Sequence, residues 1–349
     1  MPGRAAATAL TVVLTALLAL VFIVPTAWYL LYLTFADRWW WLFVGNSLAP
    51  IMFMPVPMAL LVAWLTKRRQ LAAVGLVPVA IATMLWAGSL LPAKTDGPAV
   101  VDAQSTITVM TYNVMAGDND PDAIVGAILA SGAQVVALQE LNGDVGLELA
   151  ERLEATHPYY DLAPCPACGD WGSLGLFSAF PVEAVSADLG GPSTRNPQTT
   201  LLHHPRGDVL IVNVHNLSTP RFPQIWPEEI TRAVTSREAV AVALVELVSS
   251  SEVPVIALGD FNTTERSGAY RTLVGQLTDT WRRAGFGFGS TFHGGPRASG
   301  PWRLALPAWL LRIDYVFHSR ELTTVAVKMQ PWSAASDHRP VSAVVAFRD

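Results

Sequence analysis

Asp337 and His338 stand side by side just before Val341–Phe347, a mostly apolar run that reads as a closing β-strand. A carboxylate and an imidazole at the mouth of a strand are held rigidly by the sheet behind them, which suits acid–base or metal-assisted chemistry. Alone, such a pair more often marks a solvated turn, so its meaning depends on partners at other strand ends. Asn113 closes Thr111-Tyr112-Asn113, and Glu140 ends the run from Val135. Both are hard oxygen donors of the kind Mg²⁺ accepts. Strand alternation places Glu140 on the face of Val136 and Leu138, and in a core that carboxylate must be paired or bound to a metal. The run from Val209 delivers His215 and Asn216, and Val255–Leu258 leads into Gly259-Asp260-Phe261-Asn262. Asp260 and Asn262 lie two apart and face one way in an extended segment. Asp314, inside the apolar run Ile313–His318, needs a partner if buried, and a histidine ring N–H is a natural one. Singly, each has a plainer reading: Glu140 as an exposed strand boundary, His215 as a hydrogen-bonded structural residue. The glycosylation patterns at Asn216 and Asn262 are discounted because they overlap the candidate site.

These residues must be positioned by short β-branched runs alternating with helical stretches. Strands are expected at Ile107–Val114, Val135–Gln139, Leu174–Ser178, Val182–Ala187, Thr199–His204, Val209–His215, Val255–Leu258, Ile313–His318, Leu322–Met329 and Val341–Phe347. Asp120 followed by Pro121 suits an N-cap and first turn, opening a helix to about Ala130. Further helices are expected at Val145–Ala155 and Ser236–Val248. More strands than helices, with the helices between runs of strands, favours packed sheets with helices outside them.

The rest of the 349-residue chain is of another kind. Ala6–Leu33, Trp39–Trp64 and Leu71–Leu91 carry no charge, and each is long enough to cross about 30 Å of hydrocarbon as a helix. They lack the polar face of a buried globular helix. Pro50, Pro55 and Pro57 would kink the second. Lys67, Arg68, Arg69 and Arg4 favour the cytoplasmic side, so three crossings put all that follows outside the cytoplasm, in a multi-pass protein of the cell membrane. A cleaved signal peptide is an alternative for the first segment, although it is long for one. A re-entrant second segment would reverse the sidedness, at the cost of placing the basic spacer outside. Residues 92–105 read as a linker and 106–349 as one domain. That domain keeps 17 basic and 25 acidic residues, a poor footprint for gripping bulk duplex nucleic acid. Cys165 and Cys168 are too few for a zinc site without suitably spaced histidines, and a local disulfide or free thiols remain.

Taken together, TYN, LQE, a strand ending in His215, GDFN, RIDYVF and SDH occur in an order that resembles the endonuclease/exonuclease/phosphatase superfamily, the DNase I-like proteins. The resemblance covers about residues 106 to 347 and leaves the three apolar segments outside it. It implies an α/β (α+β) four-layer sandwich, two sheets face to face with helices outside, and a Mg²⁺-dependent phosphoesterase (Mn²⁺ as a substitute). Glu140 would be the principal metal ligand, with Asn113 and Asp337 contributing. Asp260 and Asn262 would orient and deprotonate water, His338 held by Asp314 would contact the phosphate, and His215 would donate a hydrogen bond to it. Either Asp260 or His338 would be the base. The expected substrate is a lipid headgroup, a small phosphodiester or nucleic acid, and no protein partner is implied. Apolar residues in Arg221–Pro227 and Trp302–Leu311 would line a lipid-facing rim. The alternatives are a membrane-tethered extracellular nuclease and a non-catalytic module that binds or senses a phosphorylated ligand. A transporter is disfavoured, because the spans offer no charged pathway.

Overall fold

The computed structural model describes residues 2–91, 103–116, 120–164, 173–190, 196–219, 226–292, 310–332 and 336–348. Cys165, Cys168 and most of the two apolar loop stretches, 221–225 and 302–309, lie outside the described residues. The chain divides into two compact units, Met1–Leu91 and Pro92–Asp349.

The first unit is helical: α1 (Pro2–Phe35), α2 (Trp40–Ser47), α3 (Ala49–Phe53), α4 (Val56–Leu65) and α5 (Arg69–Leu90). α1 and α5 are each long and apolar enough to cross a membrane. The expected middle span is broken. α2 and the stretch from Ala49 to Leu65 are bent by 66°, so they form a third span only if the bent pair counts as one. Prolines explain the breaks, since Pro50 and Pro57 occupy first turns, where a missing N–H costs no helical bond. Leu10, Leu17, Leu20, Leu30 and Leu76 point outward, as apolar side chains facing lipid would. Polar groups are matched within the unit. Trp28 Nε1 donates to Asn46 Oδ1 (3.0 Å), Asn46 Nδ2 donates to Ala36 O (3.0 Å), and Arg68 donates to Thr15 Oγ1.

The second unit holds two six-stranded sheets. One has the order β11 (Leu322–Met329), β12 (Val341–Phe347), β1 (Thr106–Asn113), β2 (Val135–Leu141), β4 (Ser173–Ser178), β3 (Tyr159–Ala163). The other runs β5 (Val182–Val185), β6 (Gln198–His204), β7 (Gly207–His215), β8 (Val255–Asp260), β10 (Asp314–His318), β9 (Thr278–Asp279). Each sheet contains one parallel pair, β1 with β2 and β7 with β8. These pairs are connected in sequence through α6 (Pro121–Ser131) and α8 (Pro227–Ser250). α7 (Gly143–Leu153), α9 (Gly268–Leu273) and α10 (Thr280–Ala284) are further α-helices among the described residues of this unit.

Strand alternation sorts the side chains into layers. Ile107, Val109, Val135, Ala137, Ile211, Ile256, Leu258, Val316 and Val341 form the core between the sheets. Met110, Tyr112, Val136 and Leu138 face outward to Ile124, Ile128 and Leu149 of α6 and α7. Val212, Val214, Tyr315 and Phe317 likewise meet Ala241 and Leu244 of α8 and Ala269, Tyr270 and Leu273 of α9. This is the four-layer sandwich expected. Asp120 caps α6 as its sequence predicts, its side chain accepting from Asp122 N and Ala123 N. α8 begins nine residues before the expected Ser236, with Pro227 in its first turn.

Candidate active site

Four of the eight candidate residues come together through parity. Asn113 shares its face of β1 with Ile107 and Val109, His215 shares one with Ile211, Asp260 with Ile256 and Leu258, and Asp314 with Val316. Each therefore continues the apolar inter-sheet layer at its rim as a polar atom. Register does the rest: His215 pairs with Asp260 across β7 and β8, and Asp260 pairs with Asp314 across β8 and β10. The parallel approach requires Gly259, at φ +144°, because a Cβ there would run into the backbone of Val214.

Glu140 departs from the parity rule. Alternation sends it to the helix side with Val136 and Leu138, yet its carboxylate lies among the inter-sheet residues. A register irregularity between Leu138 and Leu141 and a left-handed backbone at Glu140 (φ +57°) turn it inward. Such a conformation is costly for a residue with a Cβ and must be held by its surroundings. Here Glu140 Oε1 accepts from Asn113 Nδ2 (3.2 Å) and lies 3.4 Å from His215 Nε2, while Oε2 accepts from Ala116 N (3.0 Å). Asn113 Nδ2 also donates to Asp260 Oδ2 (3.0 Å).

Asp260 accepts from Asn262 N (Oδ1, 2.8 Å) and Asn262 Nδ2 (Oδ2, 2.9 Å). His338 Nδ1 meets both Asp314 oxygens, at 2.9 and 3.1 Å. Its Nε2 lies 3.9 Å from Asp260 Oδ2 and 3.9 Å from Asp337 Oδ1. All eight residues thus belong to one connected group. Both glycosylation patterns are accounted for locally, since Asn216 is buried and donates to Phe261 O (3.2 Å) and Asn262 Nδ2 also donates to Asn216 O (3.0 Å).

Residues without a motif of their own complete the frame. Ser336 Oγ donates to Asn113 O (2.6 Å) and accepts from His338 N (3.0 Å), tying β1 to the histidine. Thr291 Oγ1 accepts from the backbone N–H groups of Ile313 and Asp314 (3.2 Å each), and the Phe292 ring packs on His338 at 4.7 Å. Beneath the site, Gln139 Nε2 donates to Asn213 Oδ1 (2.8 Å) and Asn213 Nδ2 donates to Gln198 Oε1 (3.1 Å), joining the two sheets by a buried polar seam. Ser336 belongs to the SDH motif, whereas nothing in the sequence singles out Thr291.

The charges are unequal in kind. Burial raises the Glu140 carboxyl, but His215, Ala116 N–H and Asn113 outweigh it and hold it at about 2. Burial and the neighbouring Asp314 push Asp260 up to about 6. Burial alone would lower His338, yet Asp314, Asp260 and Asp337 push it up to about 10. At neutral pH the site thus pairs an ionised Glu140 and a cationic His338 with a carboxylate whose affinity for a proton is raised.

Asp260, Asp314 and His338 offer ligand atoms within 4.8 Å of one another and so form a carboxylate–histidine group able to hold a metal. In that trio, however, His338 Nδ1 is already bonded to Asp314. Glu140 is ionised and, at 19% side-chain exposure, the more accessible carboxylate. Glu140 and Asp337 carry hard carboxylate oxygens of the kind Mg²⁺ selects, whereas Asn113 turns Nδ2 towards Glu140 and Asp260 and its Oδ1 accepts from Met115 N (3.0 Å).

A two-sheet sandwich with an acid–histidine cluster at its rim defines a class of phosphate-ester hydrolases. Residues 110–338 match the profile of the Endonuclease/Exonuclease/phosphatase family, and the chain belongs to that family. Its members hydrolyse phosphate esters and generally use divalent metal ions. A search of curated proteins found no match. Among solved structures, the chain is similar to an endonuclease/exonuclease/phosphatase family protein from Bacteroides thetaiotaomicron, with 18% identity, TM-score 0.53 and coverage of 70% of this chain and 98% of that one. It is also similar to D. rerio TDP2 complexed with single strand DNA product, with 13% identity, TM-score 0.52 and coverage of 70% and 100%. These likenesses bear on the fold.

Proposed function

We propose that the chain is a membrane-anchored, Mg²⁺-dependent phosphodiesterase whose catalytic unit acts outside the cytoplasm. The observation that carries the chemistry is the aligned row His215–Asp260–Asp314, closed by His338 on one side and Glu140 on the other. Glu140 and Asp337 would hold the ion, and Asn113 would join them through Oδ1 once its amide turns over from its bond to Met115 N. When bound, the ion neutralises charge on the phosphoryl and leaving oxygens. Asp260, kept in place by Asn262 and raised in proton affinity, takes the proton of the attacking water. His338, charged and oriented by Asp314, presents Nε2 to a phosphoryl oxygen, and His215 adds a second donor as charge builds. A cationic His338 favours Asp260 over His338 as the base.

The sidedness rests on Lys67, Arg68 and Arg69 between the second and third apolar stretches, which favour the cytoplasm and so give three crossings. The acidic balance of the catalytic unit and its anchor favour a phosphoester at the membrane over bulk nucleic acid. Assay of the full chain with Mg²⁺ against lipid phosphodiesters, small diesters, DNA and RNA decides the substrate class. The proposal expects the fastest turnover on a diester presented in a bilayer. Faster turnover of DNA or RNA would replace it with a tethered nuclease, and tight binding of phosphate esters without turnover would make the protein a sensor.

A further inference from the structure

The loop between α10 and the active-site threonine, Gly285-Phe286-Gly287-Phe288-Gly289, presents two phenylalanines to solvent, Phe286 at 68% and Phe288 at 48% exposure. Exposed rings on a floppy loop would mean little, but this loop is fastened. Trp281 Nε1 donates to Gly287 O (3.1 Å). Gly289 adopts φ +65°, and its missing Cβ leaves room for the Trp281 ring, which a side chain there would strike. The sequence thus spends small residues on holding two large apolar ones outward. In the last turn of α10, just before the loop, Arg283 is exposed, whereas Arg282 is ion-paired with Glu265. Aromatic side chains next to basic ones suit a bilayer surface, where rings enter the acyl boundary and cations meet anionic headgroups.

We propose that this loop docks the catalytic unit on the surface of the bilayer in which the chain's own apolar helices are embedded. The proposal rests on the membrane anchoring given above. A bilayer is favoured over a protein or nucleic-acid occupant because residues 92–105 join the apolar helices read as the anchor directly to the catalytic unit. Tethering raises the local concentration enough for a weak contact of two rings to be populated. The consequence is positional. Thr291 and Phe292, which support Asp314 and His338, follow directly after the loop, so docking would set the catalytic rim near the headgroup layer.

The test replaces Phe286 by the photoreactive, near-isosteric benzoylphenylalanine in the full chain, reconstituted in vesicles of phosphatidylcholine and phosphatidylglycerol carrying a clickable acyl chain. Leu20 of α1 and the exposed Leu147 of α7 carry the same group as bilayer and solvent controls. The expected result is a lipid adduct at position 286 several-fold above that at 147 and comparable to that at 20. A yield at 286 no higher than at 147, with position 20 still labelled, overturns the docking and leaves the anchor standing. Cross-linking of 286 to a second copy overturns it in favour of a protein contact. Failure of position 20 to label lipid overturns the anchor and the docking together.

Discussion

Arg312 and Asp314 stand two residues apart at the entry of β10, yet the buried charge clusters they join are balanced in opposite ways. Arg312 donates to Asp279 through both terminal nitrogens (3.0 and 2.5 Å) and to Glu265, and Tyr270 Oη donates to Asp279 (2.7 Å). The guanidinium lies 4.5 Å over the Tyr315 ring. Burial raises Asp279, but Arg312 more than offsets it and holds the carboxyl below its ordinary value. Around Asp314 the carboxylates crowd instead, and Asp260 is pushed up to about 6. Burial of charge is common to both clusters; mismatch is confined to one. A matched cluster braces the 260–266 loop, whereas an unmatched one is poised to exchange protons.

The sharpest break between them should come from two single variants. Asp260→Asn removes a carboxylate that is unfavourably placed, so turnover should fall by about 10²–10⁴-fold while the thermal midpoint stays level or rises. Arg312→Met should do the reverse. It strands Asp279 without its cation, while Glu265 keeps Arg282, and costs about 3–5 kcal/mol in urea unfolding. Turnover per folded molecule should stay near wild type. A large activity loss in folded Arg312→Met would merge the two clusters into one machine.

Their pH responses should differ in sign. Asp279, with a folded pKa below 3.8, contributes stability that is full above that value and lost as pH falls through the folded one. Asp260 binds its proton more tightly in the folded state, so its contribution grows as pH falls from about 6 towards 3.8. Urea unfolding from pH 7 to 3 should show the first slope flattened in Asp279→Asn and the second flattened in Asp260→Asn. The smallest effect is expected at the frame. Ser336→Ala should cost about 1 kcal/mol in stability and about tenfold in rate, because His338 and Asn113 lose a shared support.

What the sequence revealed follows the same physics. Asn113, His215, Asp260 and Asp314 could be read from it because alternation and strand ends determine where they point. Alternation sends Glu140 to the wrong face, since a register irregularity and a positive φ are tertiary outcomes that it does not encode. β3 leaves little signal in the sequence, because Tyr159-Tyr160-Asp161-Leu162-Ala163 lies at a sheet edge and has little apolar periodicity. α8 starts nine residues ahead of the expected Ser236, at Pro227 and two following glutamates, which are ordinary first-turn residues. Thr291 acts through a hydroxyl on backbone N–H groups and leaves no pattern. The broken middle span was announced by its prolines, but the 66° bend depends on packing.

The most direct test of the account is Mg²⁺-dependent hydrolysis of a chromogenic phosphodiester by the purified full chain, compared with Glu140→Ala and His338→Ala. The account predicts turnover that chelation abolishes and both variants lose almost entirely while still folding. Wild-type-like turnover in either folded variant would contradict it.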